Sequence, residues 1–260
     1  MAADDVSRAG TAADQVLDGR FALVTGAGRG LGRAIAVAMA AAGARVTLAA
    51  RSHRDLAEVE RAISDAGGKA TTLALDVTDE TAVQAALATL PTHDILVNCA
   101  GANRPQPFVD VELEAFDAVI GVNLRATFLV TREVVRRLLV EGRPGVVINI
   151  SSQMGHVGAP NRSVYCASKH AVEGLTKALG VELAPFGIRV VSIAPTFIDT
   201  PMTRPFFEDP AFRADVMASI PIGRLGLPEE VAAAAVFLAG PNAGLITGSS
   251  LLLDGGWTAR

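Results

Sequence analysis

The sequence predicts an α/β fold built on a doubly wound parallel sheet. Three observations carry that expectation. Short apolar runs of strand length alternate with longer, helix-like segments in the N-terminal part of the chain. A glycine-rich loop, Thr25 to Gly32, separates the first apolar run from the first helical segment. A tyrosine and a lysine, Tyr165 and Lys169, stand four apart just after a further apolar run and a Gly/Pro-rich loop.

Phe21 to Val24 reads as a strand, Leu31 to Ala42 as an alanine-rich helix stopped by Gly43, and Arg45 to Ala49 as a second strand. Strand, glycine loop, helix and strand together have the shape of a dinucleotide-binding unit. Gly26 permits the tight turn, Gly30 lets a pyrophosphate approach the backbone, and Gly32 allows the helix to pack closely on the strand. Phosphates would then sit on the unpaired N–H groups at the helix start. A glycine turn with a purely structural purpose is the competing reading. The second strand ends in LAARS, with Ala50 where an acid would bind the ribose hydroxyls of NAD. Arg51 follows it, and Arg29 projects from the glycine loop. Two guanidinium groups suit a 2′-phosphate, so NADP(H) is favoured and NAD(H) remains open.

Asp55 to Ala66 is expected as a helix ended by Gly67-Gly68, and Thr71 to Leu75 as the third strand. Asp76 and Val77 fall where an adenine could stack. A helix runs from about Asp79 to Leu90, and Asp94 to Val97 is the fourth strand. Small residues in Asn98–Cys99–Ala100–Gly101 would let backbone lie against a flat ligand. A long helix is predicted over Leu113 to Val140, with Phe116, Ile120, Leu124 and Phe128 as a core or interface stripe. Asn123, a poor mid-helix residue, either bonds to local backbone or faces the site. Val146 to Ile150, the helix Val164 to Ala184, and the strand Ile188 to Ile193 follow. The proline-broken, Phe-rich segment of about 196–220 reads as a flap or a packed surface loop. A helix from Pro228 and a strand Ser250 to Leu253 end the fold.

Half of the 260 residues are apolar, which suits one large domain over 19–260. Residues 1–18 are polar and small, and are expected as a flexible arm. A formal charge of −4 with no basic block gives no nucleic-acid surface. Cys99 and Cys166 do not make a disulfide scaffold. No apolar run is long enough for a membrane span, and no ligand spacing suggests a metal. A cytoplasmic protein is the expectation.

On a helix Tyr165 and Lys169 share a face, and an ammonium beside a phenol should lower the tyrosine pKa. That would let Tyr165 exchange a proton near neutral pH. Taken together, TGAGRGLG, NCAG and YCASK resemble the short-chain dehydrogenase/reductase family over about Arg20 to the C-terminus. The resemblance implies a Rossmann-like sheet of seven parallel strands with helices on both faces, and a homotetramer. It selects Ser152, thirteen before Tyr165, as the catalytic serine and adds Asn123 to Ser152, Tyr165 and Lys169. It implies a cofactor set of Gly26, Arg29, Gly30, Leu31, Gly32, Arg51, Asp76, Val77, Asn98, Ala100, Gly101, Tyr165, Lys169, Pro195, Thr196, Ile198 and Thr200. Cys99 and Thr196 depart from the family's asparagine and glycine at those positions.

The implied reaction moves a hydride between a nicotinamide and a carbonyl or alcohol carbon. Tyr165 would act as acid and base, Lys169 would tune it and hold the ribose, and Ser152 would hold the substrate oxygen. Arg104, Gln153, His156 and Asn161, with Ser152 and Tyr165, are the expected substrate-lining residues. They favour a small polar alcohol or ketone of the sugar, polyol or hydroxy-acid type. A 3-oxoacyl-carrier-protein reductase and a catalytically idle NADP-binding sensor or scaffold are the alternatives.

Overall fold

A computed structural model of the chain describes residues 15–259. Its seven strands are β1 (Phe21–Thr25), β2 (Arg45–Ala50), β3 (Lys69–Ala74), β4 (Ile95–Asn98), β5 (Gly145–Ile150), β6 (Ile188–Pro195) and β7 (Ser250–Leu253). They form one parallel sheet in the order β3-β2-β1-β4-β5-β6-β7. The winding reverses between β1 and β4, which opens a crevice at the carboxyl ends of those strands. β4 and β5 are buried along their whole length, as apolar, β-branched runs in a parallel sheet should be. The outer strands β3 and β7 are only partly buried.

Alternate residues of each strand feed two cores. Ala22, Val24, Ile95 and Val97 meet α1 (Gly30–Ala41), α2 (His53–Asp65) and α8 (Pro228–Ala239) on one face. Leu23, Leu96 and Val147 meet α3 (Glu80–Thr89), α5 (Ala126–Glu141) and α6 (Ser163–Leu183) on the other. Caps fix the helix starts: the Ser52 hydroxyl accepts from Asp55 N, and the Asp79 carboxylate from Ala82 N. Glu230 in the first turn of α8 accepts from Leu227 N and pairs with both Arg224 nitrogens. Those bonds hold its carboxyl down to about 2. Among the described residues no helix is long and apolar enough to cross a membrane.

The structure adds detail to four expectations. The helix over Leu113 to Val140 is not uniform: α4 (Leu113–Ile120) passes into a π-turn at Gly121–Arg125 before α5. The turn is widened because Ala126 N donates to Gly121 O, five residues back. Of the stripe on this helix, Phe116 and Phe128 are 41% and 45% exposed, while Ile120 and Leu124 are half-buried. Most of the expected arm lies outside the described residues, but its last part is fixed. Leu17 is fully buried and donates its N–H to Ala42 O, at 2.8 Å. The segment 196–220 is folded as well, with a 3-10 turn at Arg204–Glu208 and a helix α7 (Pro210–Ser219). Phe197, Phe207 and Phe212 pack edge-on, and Trp257 lies 5.9 Å from the Phe197 ring.

Below the sheet, on the side away from the crevice, His93 is buried and its Nε2 lies 2.9 Å from Thr47 Oγ1. Burial, aided by Arg137, pushes this imidazole from 6.5 down to about 4. The folded chain therefore keeps His93 neutral while the unfolded chain takes a proton below about pH 6.5. Stability is lost as pH falls through that window, by up to about 3 kcal/mol near its lower end. Thermal melts between pH 7 and 5 should show it, with a shallower slope in His93→Gln. Equal slopes would remove His93 as the source.

Candidate active site

The glycine loop lies at the carboxyl end of β1. Gly26 has φ +69°, and a Cβ there would lie 2.9 Å from the Ala100 backbone. A Cβ on Gly32 would lie 2.2 Å from Gly26 O. Glycine is required at both positions by close approach. Thr25 Oγ1 accepts from Cys99 N and Ala100 N, at 3.0 and 3.2 Å, and so ties the loop to the exit of β4. Arg29, the residue before α1, gives no side-chain cap, and the first turn of α1 has no acid. Its leading N–H groups are therefore available to an anion, with the helix dipole in support. Thr200 closes over Gly30 from the far side of the crevice, its Cβ 3.8 Å from where a Gly30 Cβ would stand. Thr196 Oγ1 is buried without a partner, while Thr196 N donates to Leu253 O. A glycine cradle at one end and an orphaned hydroxyl at the other fit an elongated dinucleotide. Pro195 ends β6, and Ile198 is buried and bridges to Gly226.

Arg29 and Arg51 are both exposed; Arg51 follows Ala50, and a Cβ on Gly28, next to Arg29, would lie 3.7 Å from Ala50 Cβ. Asp76 accepts from Thr78 N and Thr78 Oγ1, and these bonds, with Arg51 behind them, hold its carboxyl below the usual range. Asp55 also stands here, its Cβ 3.0 Å from where a Gly28 Cβ would lie. Sequence reading gave Asp55 only a place in α2. Val77 is buried in the core. The Asn98 side chain belongs to the interior and not to the cofactor crevice. Its Nδ2 donates to Thr131 Oγ1 and Asn149 Oδ1, both at 2.9 Å, so its carried-over cofactor role is left to the backbone. The Ala100 backbone lies against Gly26, and a Cβ on Gly101 would lie 3.1 Å from Asn123 Oδ1 and 3.9 Å from Lys169 Nζ.

Three elements bring the four reactive side chains together. Ser152, just past β5, is buried; its hydroxyl donates to Gln153 Oε1 and accepts from Met154 N. Tyr165 and Lys169 lie on consecutive turns of α6. Lys169 is buried, 5.7 Å from the Tyr165 ring centroid, and its Nζ donates to Ile150 O at 2.8 Å. Asn123, in the π-turn, is 1% exposed. Its side chain accepts from Ala102 N and donates to Ala102 O and Ser168 Oγ, so it bonds across three elements and not along its own helix.

The expected tyrosine pKa has to be corrected. Burial pushes the Tyr165 phenol up to about 12, with the Ser152 hydroxyl as the main opposing effect. Burial also pulls Lys169 down to about 8, against the negative charge of neighbouring groups that include Glu173. Desolvation outweighs the neighbouring ammonium at this spacing. A cation bound against the ring would act in the opposite sense.

The expected substrate residues divide. Gln153 is 2% exposed, and its Nε2 has no partner. Asn161 is exposed at φ 58°, a conformation asparagine tolerates, and its carbonyl accepts from Gln106 N at 3.1 Å. Arg104 is exposed. His156 is committed elsewhere: its Nε2 lies 3.0 Å from Ser250 Oγ and 3.4 Å from Glu173 Oε1. Glu173 is itself buried and takes Ser192 Oγ at 2.8 Å. Glu173 and a buried Arg162 were both missed from sequence; Glu173, four after Lys169 on α6, had spacing as a signal, and Arg162, before the helix, had none.

A family model described as enoyl-(acyl carrier protein) reductase matches residues 26–258. The chain is 41% identical over 246 residues to L-xylulose reductase of Bos taurus, a match covering 95% of this chain and 99% of that protein. It is 38% identical over 249 residues to D-threitol dehydrogenase of Mycolicibacterium smegmatis, covering 94% and 95%. A gluconate 5-dehydrogenase from Burkholderia cenocepacia J2315, solved with NADP and tartrate, is similar with a TM-score of 0.90 at 35% identity, covering 95% and 98%.

Proposed function

The chain belongs to the short-chain dehydrogenase/reductase family, and from that premise we propose that it is an NADP(H)-dependent oxidoreductase of small polar alcohols and carbonyls. The observation that carries the reading is the meeting of Ser152, Tyr165 and buried Lys169 beside the glycine cradle. Relatives that act on L-xylulose, D-threitol and gluconate support the sugar, polyol or hydroxy-acid class. The NADP found with the gluconate enzyme supports the cofactor.

Gly26, Gly30 and Gly32 would receive the pyrophosphate, and Arg29 and Arg51 the 2′-phosphate. Ala100, Gly101 and Thr196 would flank the nicotinamide end. Bound nicotinamide supplies or accepts the hydride. Tyr165 keeps its proton at neutral pH and so stands ready to give it to a developing alkoxide. In the opposite direction its oxygen takes the hydroxyl proton. The Ser152 hydroxyl holds the reacting oxygen next to the phenol, and Lys169 places a positive charge behind the ring below about pH 8. Asn123 fixes the loop at Ala102 against α6 and so sets the distance between cradle and acid.

The test is calorimetric titration with the four nicotinamide cofactors, followed by turnover of a panel of alcohols and ketones. One NADP(H) per chain with turnover is the expected result. Binding without turnover of any member would favour a sensor or scaffold, and no binding would sink the proposal. The same assay reads cofactor choice. A charge-assisted hydrogen bond contributes about 1.5–3 kcal/mol. Exposure of both arginines and the nearby Asp55 reduce that, so an NADP preference of about tenfold in kcat/KM is expected. Arg51→Ala should erase most of it. A wild-type preference for NAD(H), or an unchanged ratio in the variant, would reject this account of the pocket.

A further inference from the structure

The crevice beside Tyr165 contains a cation that none of the roles above uses. Arg162 immediately precedes α6 and is only 7% exposed. Its Nε has no hydrogen-bond partner, and its one polar contact is Nη1 to Asn161 O, at 3.3 Å. Among the described residues no carboxylate lies within ion-pair distance of it. Instead its guanidinium packs over the Phe206 ring of the 196–220 segment, 5.2 Å from the centroid. A buried, unpaired guanidinium is a costly arrangement, and the positive end of α6 beside it raises the local potential further. Both features favour an anion at this point.

The position of Arg162 says which part of the molecule such an anion would belong to. Arg162 is the residue before α6, and Tyr165 lies in the first turn that follows it. Each perturbs the other's charge: Arg162 lowers the phenol, and Tyr165 raises the guanidinium. Buried side-chain atoms on the neighbouring segments also lack partners, Gln106 Oε1 and Ser163 Oγ among them. Gln153 Nε2 is a free donor whose oxygen is already taken by Ser152, and Asn103 Oδ1 is a free acceptor on the loop leaving β4. That loop is tied to the Arg162 segment by Gln106 N, which donates to Asn161 O. A charged fork beside Tyr165, with unpartnered amide groups on the flanking segments, matches a short polyhydroxylated acid.

We propose that Arg162 is the carboxylate subsite of this enzyme, and that its substrate is a small hydroxy acid or its keto counterpart. The proposal rests on the dehydrogenase reading above and narrows its substrate. It places the carboxylate on buried Arg162 and not on Arg104, the exposed arginine among the expected substrate-lining residues. One buried guanidinium balances one negative charge, which suits a carboxylate better than a phosphate dianion. Its fork also takes both carboxylate oxygens at once.

The experiment compares C4–C6 aldonates, alditols of equal carbon number, and the matching sugar phosphates, each with NADP+. Wild type should prefer the aldonates by at least about tenfold in kcat/KM. In Arg162→Met the aldonate-to-alditol ratio should fall by about thirtyfold, chiefly through KM for the acid. Arg162→Lys should fall in between, because it keeps the charge and loses the fork; it also carries the test if the methionine variant does not fold. An unchanged ratio in both variants would overturn the subsite, as would wild type favouring alditols or sugar phosphates. If wild type turns over nothing, the dehydrogenase reading has failed. The subsite is then judged by calorimetry of D-gluconate on the NADP-loaded protein. Binding that Arg162→Met abolishes supports it, and no binding by wild type rejects it.

Discussion

Tyr165→Phe is expected to lower turnover by about a thousandfold while NADP affinity changes less than threefold, in line with the usual worth of a positioned acid or base. The variant removes one oxygen from a partly buried ring and leaves its packing against α6 intact. The lost oxygen is the proton-exchanging group paired with the Ser152 hydroxyl. Lys169 is held to Ile150 O, and Gln153 does not titrate. A pH series adds a second readout. With the phenol at about 12, the phenolate fraction rises as pH rises, so alcohol oxidation by wild type should speed up from pH 6 towards 8. Above about 8 Lys169 loses its charge, phenolate loses that support, and the rise should flatten. Steady-state rates from pH 6 to 10 would show this. Turnover in Tyr165→Phe comparable to wild type would remove Tyr165 as the acid and base.

Gly32→Ala should be the most disruptive small change in the chain. Its new Cβ would lie 2.2 Å from Gly26 O, 2.7 Å from Gly26 C and 3.1 Å from Ala27 Cα. All three are backbone atoms, so no side chain can rotate away. Either α1 moves off β1 or the loop opens, and both enlarge the cradle. Overpacking of this kind costs about 1–3 kcal/mol or more. That corresponds to a Tm lowered by roughly 4–10 °C, and NADP affinity should fall by more than about tenfold. Gly174→Ala is the control, because a Cβ there meets nothing within 4 Å in the middle of α6. It should raise stability by about 0.5–1 kcal/mol. A Gly32→Ala protein with wild-type melting and cofactor titration would mean that the loop is not held as described.

Features that depend on neighbours in sequence were readable without coordinates. The strands announced themselves as short apolar runs, and the glycines marked turns that need close approach. Tyr165 and Lys169 declared themselves by helical spacing, and the family resemblance added Ser152 and Asn123. Burial was not readable. It sets the direction of the Tyr165 shift, and it depends on what covers α6. Arg162 escaped notice because its meaning comes from Phe206, which is remote in sequence. Glu173 did so because its partners, Ser192 and Ser250, arrive on β6 and β7. His156 read as a substrate contact for the same reason: nothing local reveals that Ser250 and Glu173 claim its ring.

The π-turn at Gly121–Arg125 has a consequence for what lengths of chain this protein can tolerate. A regular α-helix advances about 100° per residue. The widened turn absorbs one extra residue, so α5 leaves it in a different rotational phase from the one α4 would dictate. Both phases are needed: α4 packs toward α6, while Ala126, Val130 and Val134 of α5 must point into the sheet's core. Asn123 sits at the changeover, where its side chain can point at Ala102. Deleting one residue here would leave a regular helix of good local propensity, yet would rotate one half against the other by about a quarter-turn. The chain would then have to choose between its core and its active-site loop. A single-residue deletion elsewhere on the surface poses no such choice, so residues 121–125 work as a gear between packing and catalysis.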